Sequence, residues 1–486
     1  MLSNRAGQEL QQVDTQQHAC SVEWCPTEGF SDILACATYT LKESSGAGTH
    51  DEDAGRLVDS SDSTPAELPS TQSRNGGVSL YKLTFAEGDA EHATPSLVHQ
   101  CTWSAPGGVL DTKWCRDEAT TAQLGSPALA CALSTGEVCI LAISTVSHNC
   151  DVLQVKQLAS SFDASPASAA TVPTRSHSDS DSDSSADSSS GATGSAAAAP
   201  TAQRLCLSLD WLGDSIIVSE STGTLALWRV DAGASALSLV ERWCAHSHPA
   251  GAGPAEAWIA FFNRFDANFI ISGADDALMK AWDARASTAR PAFVSRRHGM
   301  GVTCGEWHPR DAHAFVTGSY DETVRVWDAR RVGAGPVREC AAGGGVWRAH
   351  WWPGSSALHD GSSSGSGSAL DAAVSSRDGG AVTGVGRATD DDGDCSGVAG
   401  SGGGSGGSAV LAACMHGGAK VLRCGGSGGG GASMSVVGEY AAHESMVYGA
   451  DWCRHRYAAT AAGSVVATCS FYDHRLCLWR CPRPCT

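Results

Sequence analysis

Few stretches of this chain combine residue types that do chemistry, and the most pointed is Ala412-Ala413-Cys414-Met415-His416-Gly417-Gly418. An imidazole there could titrate near neutrality and serve as a general base, and the thiol two residues earlier could serve as a nucleophile. Equally, His416 could bond a loop carbonyl, and Cys414, if it sits in a strand, could be a small core residue. A second group is made of rings, Tyr320, Trp347, Tyr448, Phe471 and Tyr472, with the acids Asp321, Glu322 and Asp473 nearby in sequence. Rings with carboxylates beside them suit a quaternary ammonium ion through cation–π attraction, although packing is the common fate of any one ring. Three matches to GxSxG, centred on Ser363, Ser405 and Ser427, fall in Gly/Ser runs without the strand-to-helix context of a nucleophile elbow. No Walker loop, HExxH, CxxC pair or paired metal-ligand spacing occurs, so neither a metal nor a cofactor is expected.

The elements that must position these residues are legible in one stretch, His298 to Arg330. Val302 to Trp307 reads as a short strand ended by His308-Pro309, Ala314 to Ser319 as a second, and Val324 to Asp328 as a third beyond the turn Tyr320-Asp321-Glu322-Thr323. The closing Trp327-Asp328 pair, the turn Asp321 and the opening His298 resemble the WD-repeat unit of β-propellers. In that family a His, a Ser or Thr, the turn Asp and the strand Trp form a buried hydrogen-bond relay; the matching residues are His298, Ser319, Asp321 and Trp327.

The first strand of this template, an apolar residue followed five positions later by a large ring, recurs along the chain. It ends at Trp24, Trp114, Trp211, Phe262, Trp307, Trp351 and Trp452. Phe262, Trp307 and Trp351 follow one another at about 45 residues, a propeller-blade period. Seven instances predict an all-β, seven-bladed WD-repeat β-propeller over residues 8–486. Counting six back from each closing residue places Asp276, Asp321 and Asp473 at the turn, but His416 in the sixth repeat, which closes on Leu422. After Trp479 only RCPRPCT remains, so the missing outer strand of the last blade is expected from the N-terminus, around Leu10 to Thr15, which leaves no open sheet edge.

Three segments rich in Ser, Gly, Ala and Asp, 42–77, 159–203 and 354–408, interrupt the repeats and are expected to be long disordered loop insertions. They also hold much of the acidic excess: 33 Lys and Arg against 52 Asp and Glu give a net charge of −19. That balance argues against nucleic acid as a partner. No apolar run approaches a membrane span and the N-terminus lacks a signal-peptide core, so the 20 cysteines read as reduced thiols of a cytoplasmic protein.

The runs RRHGMGVTCGEWHP, TGSYDETVRVWDAR, GGVWRAHWWP, AACMHGGAKVL, ESMVYGADW and ATCSFYDHRLCLW, in this order, resemble the WD-repeat diphthine methyl ester hydrolases of diphthamide biosynthesis. HGMGV, GGVWR, CMHGG and SFYDH are not consensus propeller residues, which makes the resemblance specific over repeats four to seven. It implies an enzyme that removes a methyl ester from methylated diphthine on translation elongation factor 2, with other diphthamide-pathway proteins as further partners. The trimethylammonium group of that substrate would suit the rings named above. The family supplies no nucleophile to transfer by position. A workable assignment makes His416 the general base on water or on a nearby hydroxyl or thiol, with Arg348 or backbone amides holding the oxyanion and Cys414 the alternative nucleophile. His298 and His443 are the next candidate bases. A different class stays open, because Trp282-Asp283-Ala284-Arg285 and Trp327-Asp328-Ala329-Arg330 match the WDxR pattern of WD-repeat substrate receptors of cullin ubiquitin ligases.

Overall fold

The computed structural model describes residues 6–41, 73–85, 94–147, 151–161, 204–249, 252–354, 408–425, 433–455, 459–460 and 463–482. They form seven antiparallel sheets arranged as a β-propeller. Blades one to six each take four strands in chain order, from 19–104, 109–160, 206–244, 257–295, 302–341 and 348–440. Blade seven is completed from both ends of the chain. Gln8–Asp14 pairs antiparallel with Arg475–Cys481, outside Gly463–Ser470 and Val447–Trp452. This is the expected N-terminal closure, two residues earlier than expected at its start.

Strands here read as near-continuous apolar runs because both faces are covered. Along Ala128–Leu133 of blade two, Ala128, Ala130 and Ala132 pack on Ile216, Val218 and Trp228 of blade three. The alternate residues Leu129, Cys131 and Leu133 pack on Ala35, Ala37 and Val78 of blade one. A period of two therefore sorts side chains between neighbouring blades rather than between core and solvent.

Polar contacts near the axis tie the blades in a ring. The residue just before the closing ring of an inner strand is acidic in four blades, and each of these carboxylates accepts the backbone N–H of the next blade's ring residue. Asp451 accepts from Trp24 (2.8 Å), Glu23 from Trp114 (3.1 Å), Asp210 from Phe262 (2.9 Å) and Glu306 from Trp351 (2.8 Å). The first of these crosses the seam between blades seven and one, so closure is fastened at the axis as well as at the rim.

The three segments expected as insertions fall mostly outside the described residues, and strands shorten them at their ends. Arg74–Phe85 already pairs with Ile33–Leu41, Ala159 and Ser160 still pair with Ile140 and Cys139, and Ser408 opens Ser408–Ala413. The three GxSxG serines lie outside the described residues.

Candidate functional site at the channel mouth

The site is built from one repeated position. In six of the seven blades the ladder between the first two strands slips at the second residue of the inner strand, four before its closing ring. A bulge of this kind turns a side chain out of the ladder and is common beside functional sites. The residues there are Cys20, Leu110, Leu207, Trp258, Thr303 and Tyr448, and Trp347 takes the equivalent place in blade six. Their convergence shows in the distances: Trp258 of blade four meets Trp347 of blade six at 5.5 Å between ring centroids, although blade five lies between them in the ring.

From these two rings an aromatic chain runs round the mouth. Tyr320 lies 6.0 Å from Trp347 and 6.2 Å from Trp258; Tyr448 lies 5.1 Å from Trp347 and 5.5 Å from Phe471, which meets Tyr472 at 5.0 Å. All five rings singled out in the sequence are thus brought together. Burial pushes the Tyr320 hydroxyl well above its ordinary range and raises that of Tyr448, which donates to Met446 Sδ at 3.3 Å.

Glycines let the turns close on these rings. A Cβ on Gly344 would lie 2.2 Å from the Cys414 carbonyl oxygen, and one on Gly345 would lie 2.9 Å from Met415 Sδ and 3.4 Å from Tyr320. The runs GGVWR and CMHGG therefore interlock, and the Met415 carbonyl in turn accepts from Val447 N (3.1 Å), beside Tyr448. His416 sits three residues into the turn between the pair Ala413 and Ala419, where Asp321 sits between Gly318 and Val324. Its imidazole is exposed at the rim and makes no hydrogen bond among the described residues.

Several expected roles change. Cys414 is fully buried among Val316, Val346 and Ala412, and burial pushes its thiol far up, so it is a core residue rather than an available nucleophile. Arg348 points into the channel, where its guanidinium meets Asp111 of blade two at 2.8 Å; both are buried, and Ser208 donates to the same carboxylate at 2.6 Å. It is spent on this pair between blades six and two instead of holding an oxyanion at the rim. Asp321 accepts from Gly299 N (2.7 Å) and pairs with Arg325 (2.9 Å), Asp473 accepts from Glu444 N (2.9 Å), and Glu322 occupies the left-handed turn position. Asp321 is thus committed to its own blade, whereas Asp473 keeps Oδ1 without a hydrogen-bond partner and the Glu322 side chain is exposed.

The relay is corrected as well. In blade five the shared hydroxyl is Thr317, not Ser319: it accepts from Trp327 Nε1 (2.8 Å) and meets His298 Nε2 (3.0 Å), while Ser319 donates to the Met300 carbonyl. Asp321 is turned to Arg325, so His298 Nδ1 has no partner. The full relay belongs to blade four, where His246 joins Asp276 (2.9 Å) to Ser272 (2.8 Å) and Trp282 donates to Ser272 (2.9 Å). His443 meets Thr468 (2.8 Å) and Ser470 (2.5 Å) in blade seven, and burial lowers both His298 and His443 to about 4. Neither is poised as a base near neutrality.

Trp258, Asp275 and Glu256 also stand at the mouth. The closing ring Phe262 does not point to Trp258; its signal is the alignment of the position four before each closing ring. Asp275 and Glu256 stand beside it, and Trp258 Nε1 donates to Asp275 at 3.3 Å. The relay hydroxyls Ser272 and Thr317 were equally available, ten residues before Trp282 and Trp327.

Comparison with known proteins places the chain among named relatives. A mouse protein named diphthine methyltransferase is 30% identical over 453 residues, covering 91% of this chain and 69% of its own length. The human protein of that name is 28% identical over 91% of this chain and 74% of its own length, and a diphthine methyltransferase homolog of Dictyostelium discoideum is 27% identical over 289 residues. No protein-family model matches. Among solved structures, a chain from a crystal structure of the mitotic checkpoint complex superposes over 97% of this chain with a TM-score of 0.50 at 13% identity, a likeness of fold alone. With a relative this similar across most of both lengths, and with its distinctive glycine and aromatic runs gathered at one channel mouth, the chain belongs to the diphthine methyltransferase family.

Proposed function

We propose that this protein acts in diphthamide biosynthesis as a cytoplasmic methyl ester hydrolase, with methyl-esterified diphthine on elongation factor 2 as its protein substrate. The observation that carries this reading is the aromatic chain from Trp258 to Tyr472, interlocked through Met415 with the turn that presents His416. In the reaction, water adds to the ester carbonyl, the carbon–OCH3 bond breaks, and methanol and a carboxylate leave with one proton. His416 takes the proton from water as it attacks. The hydroxyl of Tyr320, kept protonated by burial, supplies a donor for the developing oxyanion in place of Arg348. Substrate enters from the rim side, where the rings and the His416 turn stand above the Arg348–Asp111 pair.

The names of the relatives read as methyl transfer rather than methyl loss, and the two directions separate cleanly. Hydrolysis releases methanol without any methyl donor; transfer adds a methyl group and depends on one. Incubation of both the free acid and the methyl ester form of the substrate, with and without a methyl donor, followed by intact-mass measurement, decides between them.

A non-catalytic role as substrate receptor of a cullin ubiquitin ligase is the second reading, and the observation bearing on it is the two WDxR arginines. Arg285 and Arg330 are both exposed, yet each folds back on the Asp of its own motif, at 2.8 Å for either pair. A receptor would co-purify with ligase subunits and lose them on mutation of these arginines, with no ester cleaved.

A further inference from the structure

Glu256 and Asp275 stand together at the rim of blade four, on the segment entering its inner strand and on its hairpin turn, joined by Asp275 N donating to the Glu256 carbonyl at 3.0 Å. Among the described residues neither side chain pairs with a cation. Partial burial pushes the Glu256 carboxyl up, and the neighbouring Asp275 charge pushes it further. Two mutually repelling carboxylates thus stand together here, Asp275 against Trp258 and Glu256 exposed beside it, with His248 near enough to draw the Glu256 carboxyl partly back down. Asp275 is bonded to Trp258, and both acids raise the Tyr320 hydroxyl. Gly301 makes this possible, since a Cβ there would lie 2.8 Å from Asp275 Oδ1 and 3.0 Å from Tyr320. Trp258, Tyr320 and Trp347 meet one another at 5.5 to 6.2 Å between ring centroids and supply an aromatic wall, which a small hydrated metal ion would not use but an alkylated ammonium would.

We propose that Glu256, Asp275, Trp258, Tyr320 and Trp347 form a subsite for a quaternary ammonium ion, in which the acids supply charge and the rings supply shape. This deepens the hydrolase reading, on which it rests for the occupant, the trimethylammonium group of the substrate. The anionic half of the subsite lies on blade four, away from the turn acids of blades five and seven, and the substrate is thereby oriented across the mouth from blade four toward the His416 turn.

The test uses the full chain and tetramethylammonium as probe, followed by tryptophan fluorescence, with 3,3-dimethyl-1-butanol as a neutral ligand of similar shape. Tetramethylammonium should bind, the neutral alcohol should bind at least tenfold more weakly, and Asp275→Asn, Glu256→Gln and Trp258→Leu should each weaken tetramethylammonium about three- to tenfold. Trp258→Phe should recover part of the loss. Equal binding of cation and alcohol, or wild-type cation binding in a folded Asp275→Asn Glu256→Gln double variant, overturns the subsite. Failure of the two readings is distinguishable: cation binding without ester cleavage removes the hydrolase and keeps the subsite, whereas cleavage with an unchanged KM in the double variant removes the subsite and keeps the hydrolase.

Discussion

At the scale of residues, one imidazole and several rings answer different kinetic questions. His416→Ala should lower kcat by about a hundredfold or more, the usual contribution of a positioned base, and leave thermal stability unchanged because the side chain is exposed and unbonded. Tyr448→Ala should chiefly raise KM, by roughly 1 kcal/mol of binding. Cys414→Ala should keep full kcat, as its thiol is buried and pushed far up; loss of turnover in a folded Cys414→Ala protein would return the nucleophile to that residue. Steady-state kinetics on the protein substrate separates the three. The five rings were legible in the sequence because turns and inter-blade loops must meet on one face of a propeller. What the sequence did not show was which acids accompany them. Asp321 looks free in a turn, but its carboxylate is taken by the Gly299 amide and Arg325, and Asp473 gives one oxygen to the Glu444 amide; such local bonds depend on the exact path of a neighbouring loop.

At the scale of elements, the bulge at the second inner-strand residue and the closing strand carry most of the design. Arg348 opens an inner strand, and periodicity alone cannot say whether such a residue faces the rim or the axis. Its buried pair with Asp111 puts it on the axis. Arg348→Ala leaves Asp111 without its cation and should cost about 3 to 5 kcal/mol of stability, whereas Arg348→Met with Asp111→Asn should cost much less. Chemical denaturation measures both, and a stable but inactive Arg348→Ala protein would instead give the guanidinium a catalytic role. The closing strand was legible because the last repeat ran out of chain before its fourth strand. Removal of residues 1–17 deletes Gln8–Asp14 and opens the edge of Arg475–Cys481. A large fall in melting temperature with aggregation is expected, and unchanged melting would contradict closure. Register was harder to read than element type: the relay hydroxyl of blade five was placed two residues too far along its strand, since Ser319 and Thr317 point to the same face and both have a hydroxyl.

At the scale of the whole molecule, buried histidines set how stability depends on pH. His298 and His443 are lowered to about 4, and His246 is also lowered, in each case by burial first. The unfolded chain takes up protons near pH 6.5, which the folded chain refuses until about 4. Stability is thus complete above about pH 6.5 and is lost as pH falls through that window. Glu256 and Asp210, whose carboxyls burial raises, oppose the trend only near the carboxylate range. Melting temperature followed from pH 7 to pH 4.5 should fall, with a shallower slope in His298→Gln; a flat profile would show that these imidazoles are solvated in the native ring. The most direct measurement of the central claim is the intact mass of elongation factor 2 bearing methyl-esterified diphthine after incubation with the purified protein and no methyl donor. The account predicts loss of one CH2 with release of methanol, abolished by His416→Ala; an unchanged mass with the wild-type protein, or a gain of methyl once a donor is added to the free acid, would contradict it.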